Sequence, residues 1–368
     1  MIVFPDPWDA LCVAKLLPDR AVVAYAAEGA SAAFSEAHID VRLVEPKGDL
    51  NTLNLLTDAP PSAAGNDLVL AFKPSARLER SGFRFALAPA AIAGAIENKL
   101  NLPELATLAG VNIAPQGRVR AGDISFAELS ARFGLPFVAQ SPRGFAGRRT
   151  FQIDTAADWE SVTGELKGRP MKIASWAAGR PGTSNAVVDR FGTVVVSAPI
   201  LQLTGDPDLT PYSLGSCGND FTWRPSPNPG DLPAKIAEAL GPVLARRGFH
   251  GHFGIDWVWD GTQCTLIEIN ARLTASFALY VSHRPQLLHA HLAASAGEPI
   301  EPARLLPVDA GQLVIYNVSG EDQTPLSGPH SWPAPGTVVA PEAKRGRRIV
   351  SGPVVDEDGV RQVHPTPP

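Results

Sequence analysis

Asp256, Glu268, Asn270 and Arg272 are the residues of this chain whose types and spacing best suit chemistry. They fall in one run, Gly254-Ile-Asp-Trp-Val-Trp-Asp-Gly-Thr-Gln-Cys-Thr-Leu-Ile-Glu-Ile-Asn-Ala-Arg272. Two carboxylates and an amide offer hard oxygen donors, and a guanidinium adds positive charge. Magnesium takes oxygen ligands in an octahedron that it usually completes with waters and phosphate oxygens. The set therefore suits a magnesium–triphosphate site.

Strands must align such residues. With strand alternation, Leu266, Glu268, Asn270 and Arg272 share one face, and Ile267 and Ile269 share the other. The partner strand is His252-Phe-Gly-Ile-Asp-Trp-Val-Trp259, and Asp260-Gly261 marks the turn. A strict two-residue turn puts Asp256 on the face opposite Glu268. An odd loop, Asp260-Gly261-Thr262, with Gly261 left-handed and a bulge, puts Asp256 beside Glu268 and Asn270. We expect the odd loop, because three ligand types on opposite faces serve no site. An ordinary solvent-facing hairpin shows the same short motif, so the flanking sequence has to decide.

The second informative element is Gln140-Ser-Pro-Arg-Gly-Phe-Ala-Gly-Arg-Arg-Thr150, between two strand candidates. Gly144 and Gly147 let backbone N–H groups approach a phosphate. Arg143, Arg148 and Arg149 add charge. A Gly-x-x-Gly hairpin tip alone is a weak signal. The loop is neither a P-loop, since Gly-x-x-x-x-Gly-Lys-Ser/Thr is absent, nor a dinucleotide fingerprint, since no helix opens behind it.

The 368 residues suffice for two or three domains and a large core. A net charge of -5 leaves no nucleic-acid footprint on the chain as a whole, so any phosphate site must be local. No uninterrupted apolar run is long enough to cross a bilayer. Three scattered cysteines, Cys12, Cys217 and Cys264, argue against a disulfide framework and fit a reducing cytoplasm. Cys264 is read as packing. The N-terminus lacks the basic and apolar regions of a signal peptide. We expect a cytoplasmic protein that binds neither nucleic acid nor membrane.

Along the chain, strand-like runs at 1–4, 21–24, 41–44 and 68–72 alternate with helical composition at 10–17 and 31–36. That pattern predicts a small parallel α/β unit. Asn98-Lys99 opens a helix over 102–109 that Gly110 ends, and Gly134 closes another over 125–133. Strands follow at 135–140 and 150–153, a helix at 158–166, and strands at 171–176, 185–189 and 192–199. An amphipathic helix over 232–247 precedes the metal hairpin, and helix continues through Tyr280 to Ala296. Beyond Leu305 the chain reads as β and loop, with Lys344-Arg345-Gly346-Arg347-Arg348 as a solvated turn.

This order, ending in Gly-Ile-Asp…Glu-Ile-Asn-x-Arg, resembles the ATP-grasp superfamily over almost the whole chain. The stretch Glu-Ile-Asn-Ala-Arg-Leu-Thr-Ala-Ser is similar to the carboxylate–amine ligase branch that includes tyramine–glutamate ligase. The resemblance implies an α/β fold of four parts: an N-terminal parallel α/β domain (1–95), a small lobe with the Gly-rich loop (96–170), a large lobe with the Mg-ATP site (171–300) and a β-rich tail (301–368). The two lobes would clasp ATP. It further implies that Lys99 contacts the α- and β-phosphates, and that Ala174, Ser175 and Trp176 present backbone groups to adenine. The loop from Gly144 through Gly147 and Arg148 would close over the triphosphate. Asp256, Glu268 and Asn270 would hold Mg2+, or Mn2+ in its stead, and Arg272 would steady the γ-phosphate or an acyl phosphate. Many members carry a lysine where this chain has Gln140, and proline where it has Ala271. The implied reaction joins a small-molecule carboxylate to an amine, with ADP and phosphate released, in a homodimer. Two alternatives stay open: an ATP-dependent carboxylase of the biotin-carboxylase type, and a nucleotide-binding protein without turnover.

Other candidates carry less. His250 and His252 share a strand face but show no zinc geometry. Asn219 could line a substrate pocket or a turn. Arg284 could clamp a substrate carboxylate or face solvent. Lys73 falls at the C-terminal end of a strand, where α/β ligands often bind. Trp257 and Trp259 read as core.

Overall fold

The computed structural model describes residues 1–26, 29–45, 68–81, 83–144, 147–224, 231–316, 344–356 and 359–362. Three sheets organise them. The first is wholly parallel: β1 (Ile2–Phe4), β2 (Val22–Tyr25), β3 (Val41–Val44), β4 (Leu68–Ala71) and β5 (Arg84–Phe85), in the order β3-β2-β1-β4-β5. The continuous apolar runs of β1 and β2 are buried throughout, as in a sheet covered on both faces. Asp6 caps the following helix, Pro7–Ala14, by accepting the N–H groups of Trp8 and Asp9.

The second sheet is antiparallel and small. It holds β6 (Gln116–Arg120), β7 (Phe137–Gln140), β8 (Thr150–Ile153) and β9 (Pro170–Ser175), ordered β6-β9-β7-β8. Helices Phe126–Phe133 and Ala156–Leu166 back it, each opened by a reciprocal capping box, Ser125 with Glu128 and Thr155 with Asp158. Phe133, Phe137, Trp159, Met171 and Ile173 fill the core between sheet and helices.

The third sheet runs β15-β14-β10-β12-β13-β17-β18. Its strands are β10 (Arg180–Val188), β11 (Val194–Val196), β12 (Ile200–Thr204), β13 (Ser216–Asp220), β14 (Gly251–Trp259), β15 (Cys264–Asn270), β16 (Ala303–Arg304), β17 (Gly311–Tyr316) and β18 (Lys344–Val350), with β11 and β16 off the main path. Helix Asp231–Arg246 buries Ala237, Leu240 and Leu244 in the same core as Val188 and Phe253. Helices Phe277–His283 and Gln286–Ala296 share a core with the first sheet and the helix Pro7–Ala14, which joins the N-terminal unit to the large lobe.

Three expectations change. Strand β9 belongs to the small sheet, so that lobe runs through Ser175 and the switch to the large sheet follows it. The tail supplies β17 and β18 to the large sheet rather than standing apart, while 317–343, 357–358 and 363–368 of the tail lie outside the described residues. Lys344–Arg348 is strand, paired with β17, and not a turn.

The hairpin that carries Asp256, Glu268 and Asn270 reaches the expected register by another route. Four residues, 260–263, connect Trp259 to its partner Cys264. Asp260 Oδ1 shapes that turn by accepting the N–H groups of Thr262 and Gln263, both at 2.8 Å. An even loop alone would put Asp256 opposite Ile267. Instead Trp257 pairs with Leu266 and Asp256 with Glu268, so Ile267 is an extra residue in β15. The parity change lies in the strand and not in the turn. It also moves Leu266 to the other face: Leu266 is buried with Ile269 in the apolar core, while Glu268 and Asn270 face away from it.

Candidate active site

The bulge sets the geometry of the site. Asp256 Oδ2 accepts the Asn270 side-chain amide at 3.0 Å, and its Oδ1 accepts Gln202 Nε2 at 3.1 Å. Lys99, at the 3-10 turn Lys99–Asn101 that Asn98 caps, reaches across to Glu268 at 2.7 Å. Arg272 donates from Nη2 to Asn270 Oδ1 at 3.0 Å and pairs through Nε with Glu97 at 3.1 Å. Glu97 also holds Lys73 at 3.3 Å. Asp256, Glu268, Asn270, Arg272, Lys99 and Lys73 are thus brought together.

Two half-buried carboxylates on paired positions repel one another. Burial, then the charge of Glu268, pushes the Asp256 carboxyl up to about 7. Burial also raises Glu268, but Lys99, Arg272 and Lys172 outweigh it and hold its carboxyl below the ordinary value. A divalent cation between the two would relieve the repulsion, and their oxygens with that of Asn270 are the hard donors magnesium takes. The donor set therefore fits Mg2+ with waters and phosphate oxygens completing the shell. Among the described residues no group of three His, Cys, Asp or Glu side chains gathers into a closed metal cage.

Above the carboxylates lies a cavity of about 330 Å³ lined by Lys73, Glu97, Lys99, Glu268 and Asn270 below and by Arg143, Gly144, Arg148 and Arg149 from the β7–β8 loop. Five cationic side chains against two carboxylates leave it strongly positive, which suits a polyphosphate. The loop is tied to the Lys99 turn by the bond from Lys99 N to Pro142 O at 3.0 Å, and a bond from Thr150 N to Gly147 O at 3.0 Å lies within it. Its tip meets the large lobe at Gly147, whose φ is +79° and whose missing Cβ leaves room for the backbone of Gly215.

Gln140, at the end of β7, is buried and lies 3.4 Å from Thr150 Oγ1. Its cross-strand partner is Lys172 on β9. Ala174 pairs with Gln116 and Val138 inside the ladder, and Ser175 N donates to Pro115 O at 2.8 Å. Trp176 lies just past β9 and is 38% exposed, in the segment leading to β10.

Three candidates lie elsewhere. Asn219 is buried on β13, where its Oδ1 accepts Gln312 Nε2 at 2.9 Å. It pairs with Gln202, so an amide row runs from Asp256 through Gln202 and Asn219 to Gln312. Arg284 corrects an expectation. Its three guanidinium nitrogens donate to the carbonyls of Leu306, His283 and Pro307, so it fastens the end of helix Phe277–His283 to the following chain. His252 is structural. Its Nδ1 meets Arg272 O at 2.8 Å, its Nε2 meets Asn185 Oδ1 at 3.1 Å, and burial with the neighbouring His291 holds its pKa down to about 3. Cys264 is buried, with its thiol pushed up to about 12 chiefly by burial, in keeping with a packing role. Trp257 is core, with its Nε1 donating to Ser184 Oγ at 3.1 Å.

Sequence reasoning missed Glu97, Gln202 and Lys172. Lys172 left one visible signal: a lone cation in the otherwise apolar strand Met171-Lys-Ile-Ala174. Glu97 and Gln202 left none, because their roles rest on contacts with residues far along the chain.

No family model and no curated protein matches the sequence. Solved structures do match along its full length. The biotin carboxylase domain of Hydrogenobacter thermophilus 2-oxoglutarate carboxylase, solved with MgADP and bicarbonate, has TM-score 0.68 at 12% identity, covering 96% of this chain and 86% of that one. Phosphoribosylamine–glycine ligase from Thermotoga maritima has TM-score 0.64 at 16% identity, covering 95% and 91%. Carboxyaminoimidazole ribonucleotide synthase from Aspergillus clavatus, complexed with ATP, has TM-score 0.63 at 17% identity, covering 94% of each chain. With a parallel N-terminal sheet, a small antiparallel lobe and a large lobe carrying paired carboxylates on a bulged hairpin, this chain has the ATP-grasp fold.

Proposed function

We propose that the protein is an ATP-dependent carboxylate–amine ligase that works through an acyl phosphate. The observation that carries the reading is the positive cavity between the lobes, floored by Glu268 and Asn270 and roofed by the arginine-bearing loop. Lys99 and the loop arginines bind the triphosphate. Asp256, Glu268 and Asn270 would hold Mg2+, or Mn2+ in its place, and the bound ion would supply neutralising charge to the triphosphate. Arg272, steadied by Glu97 and Asn270, stands beside the γ-phosphate and neutralises charge as a substrate carboxylate oxygen bonds to phosphorus and the bond to ADP breaks. The amine nitrogen then bonds to the acyl carbon, phosphate leaves, and the nitrogen gives up a proton. No side chain is assigned as a base, which requires the amine to arrive unprotonated. Closure of the β7–β8 loop would keep water from the acyl phosphate.

The test is ADP and phosphate release with magnesium-ATP across amino acids and amines, singly and in pairs, with mass analysis of products. Release that needs a pair, with a product lighter than the summed substrates by one water, supports the ligase. Bicarbonate-dependent release supports the carboxylase reading, which the likeness to a carboxylase domain favours. ATP binding without release under any condition supports a binding protein. No described helix is long and apolar enough to cross a membrane. A homodimer in the cytoplasm remains part of the proposal.

A further inference from the structure

Lys172 is a buried cation to which the chemistry above assigns no task. It sits on β9 in the centre of the small sheet, only 4% exposed, on the face it shares with Gln140. Its ammonium crosses to the large lobe and donates to the carbonyl of Ile267 at 3.0 Å. Ile267 is the bulged residue, and the next residue, Glu268, lines the cavity. An ammonium carries three donors, and a buried one is costly unless they are met. Among the described residues Lys172 makes one hydrogen bond.

Its charge is also poorly matched. Glu268 attracts it, but Lys99 already pairs with that carboxylate at 2.7 Å and repels Lys172. Two ammonium groups brought to one carboxylate, out of water, call for a further anion. A strut for the bulge alone would need a donor and no charge, and a neutral amide would serve there at less desolvation cost. The ammonium lies behind the cavity wall: it bonds the carbonyl one residue before Glu268, which lines the cavity, and it sits beside the end of β7.

We propose that Lys172 is a nucleotide-binding residue whose ammonium takes an inner phosphate from the small-lobe side, in place of a cation at position 140. Gln140 is its direct cross-strand neighbour, so the charge can be moved sideways by one strand with little change in volume. The proposal rests on the nucleotide reading above, and its test separates the two.

The experiment is titration calorimetry of the full chain with MgATP and with adenosine, alongside melting curves. Lys172→Met keeps the length of the side chain and removes charge and donors. It is expected to weaken MgATP at least 10-fold while leaving adenosine unchanged. Adding Gln140→Lys to Lys172→Met is expected to restore most of the MgATP affinity, which a structural role cannot do. Lys172→Gln, which keeps a donor without charge, is expected to stay weak. Unchanged MgATP affinity in Lys172→Met overturns the proposal. So does full recovery in Lys172→Gln, or a loss in Lys172→Met that Gln140→Lys does not repair. If the unaltered protein binds no MgATP, the nucleotide reading itself fails and this one falls with it.

Discussion

Gly147→Ala should break catalysis by geometry alone. Gly147 sits at the tip of the β7–β8 loop, where it meets the large lobe. A Cβ added there would stand 2.6 Å from Gly215 N and 2.9 Å from the carbonyl carbon of Leu214, both backbone atoms that cannot swing aside. Ordinary contacts lie near 3.5–4.0 Å, so the loop must retreat by about 1 Å. A displacement of about 1 Å at a positioning element costs on the order of 10²-fold in rate. The substitution also strains the backbone, since φ is +79°, by about 1–2 kcal/mol. Gly168→Ala supplies the control. Its φ is +72° and nothing lies within 4 Å of its added Cβ, so it carries the strain without the clash. Both variants should lose similar stability in chemical denaturation. Only Gly147→Ala should lose turnover, 10- to 100-fold, with ATP released to solvent more quickly. Equal turnover in the two variants would refute the closed loop as the catalytic arrangement.

Three further outcomes follow from the same geometry. Glu268→Gln removes a proposed metal ligand and should lower turnover by about 10²-fold or more, with calorimetry showing that Mg2+ no longer tightens ATP; undiminished Mg2+ dependence would remove Glu268 from the metal set. His252 and His291 are held neutral by burial, at about 3 and about 4 against an ordinary 6.5, so the unfolded chain binds more protons. Their stabilisation is complete above pH 6.5 and is lost as pH falls toward 4, by about 3 kcal/mol per ring at ~1.4 kcal/mol per unit; urea midpoints flat across that window would contradict it. Arg284→Ala deletes three bonds to carbonyls and should lower stability by about 1–3 kcal/mol, with substrate KM unchanged; a raised KM would return Arg284 to the substrate site.

Local chemistry made much of the fold legible. The helix Leu102–Ala109 and its left-handed Gly110 cap, the helix Phe126–Phe133 behind Ser125, and β8 all fall where capping residues and apolar runs put them. Strands β6, β12 and β13 did not stand out, because mixed runs such as Gln116–Arg120 are strands only by virtue of their neighbours. The hairpin of Asp256 and Glu268 shows the limit most clearly. Ligand chemistry required Asp256 beside Glu268, which is where they lie, yet nothing local distinguishes a bulge at Ile267 from an odd turn. Asp260 fixed the turn at four residues, and the buried Lys172 ammonium that meets the Ile267 carbonyl comes from another lobe. Arg284 was illegible for the same reason: two of its three carbonyl partners, Leu306 and Pro307, lie more than twenty residues on, in a stretch whose path the sequence does not mark.

Oxygen transfer from the carboxylate substrate to phosphate tests the acyl phosphate most directly. The carboxylate found by the pair screen would be made with 18O in both oxygens and turned over with its amine and MgATP. Mass analysis of the released phosphate should show one 18O atom per turnover, since one carboxylate oxygen bonds to the γ-phosphorus and leaves with it. Unlabelled phosphate released at the same rate would mean that water, and not the carboxylate, takes the phosphoryl group.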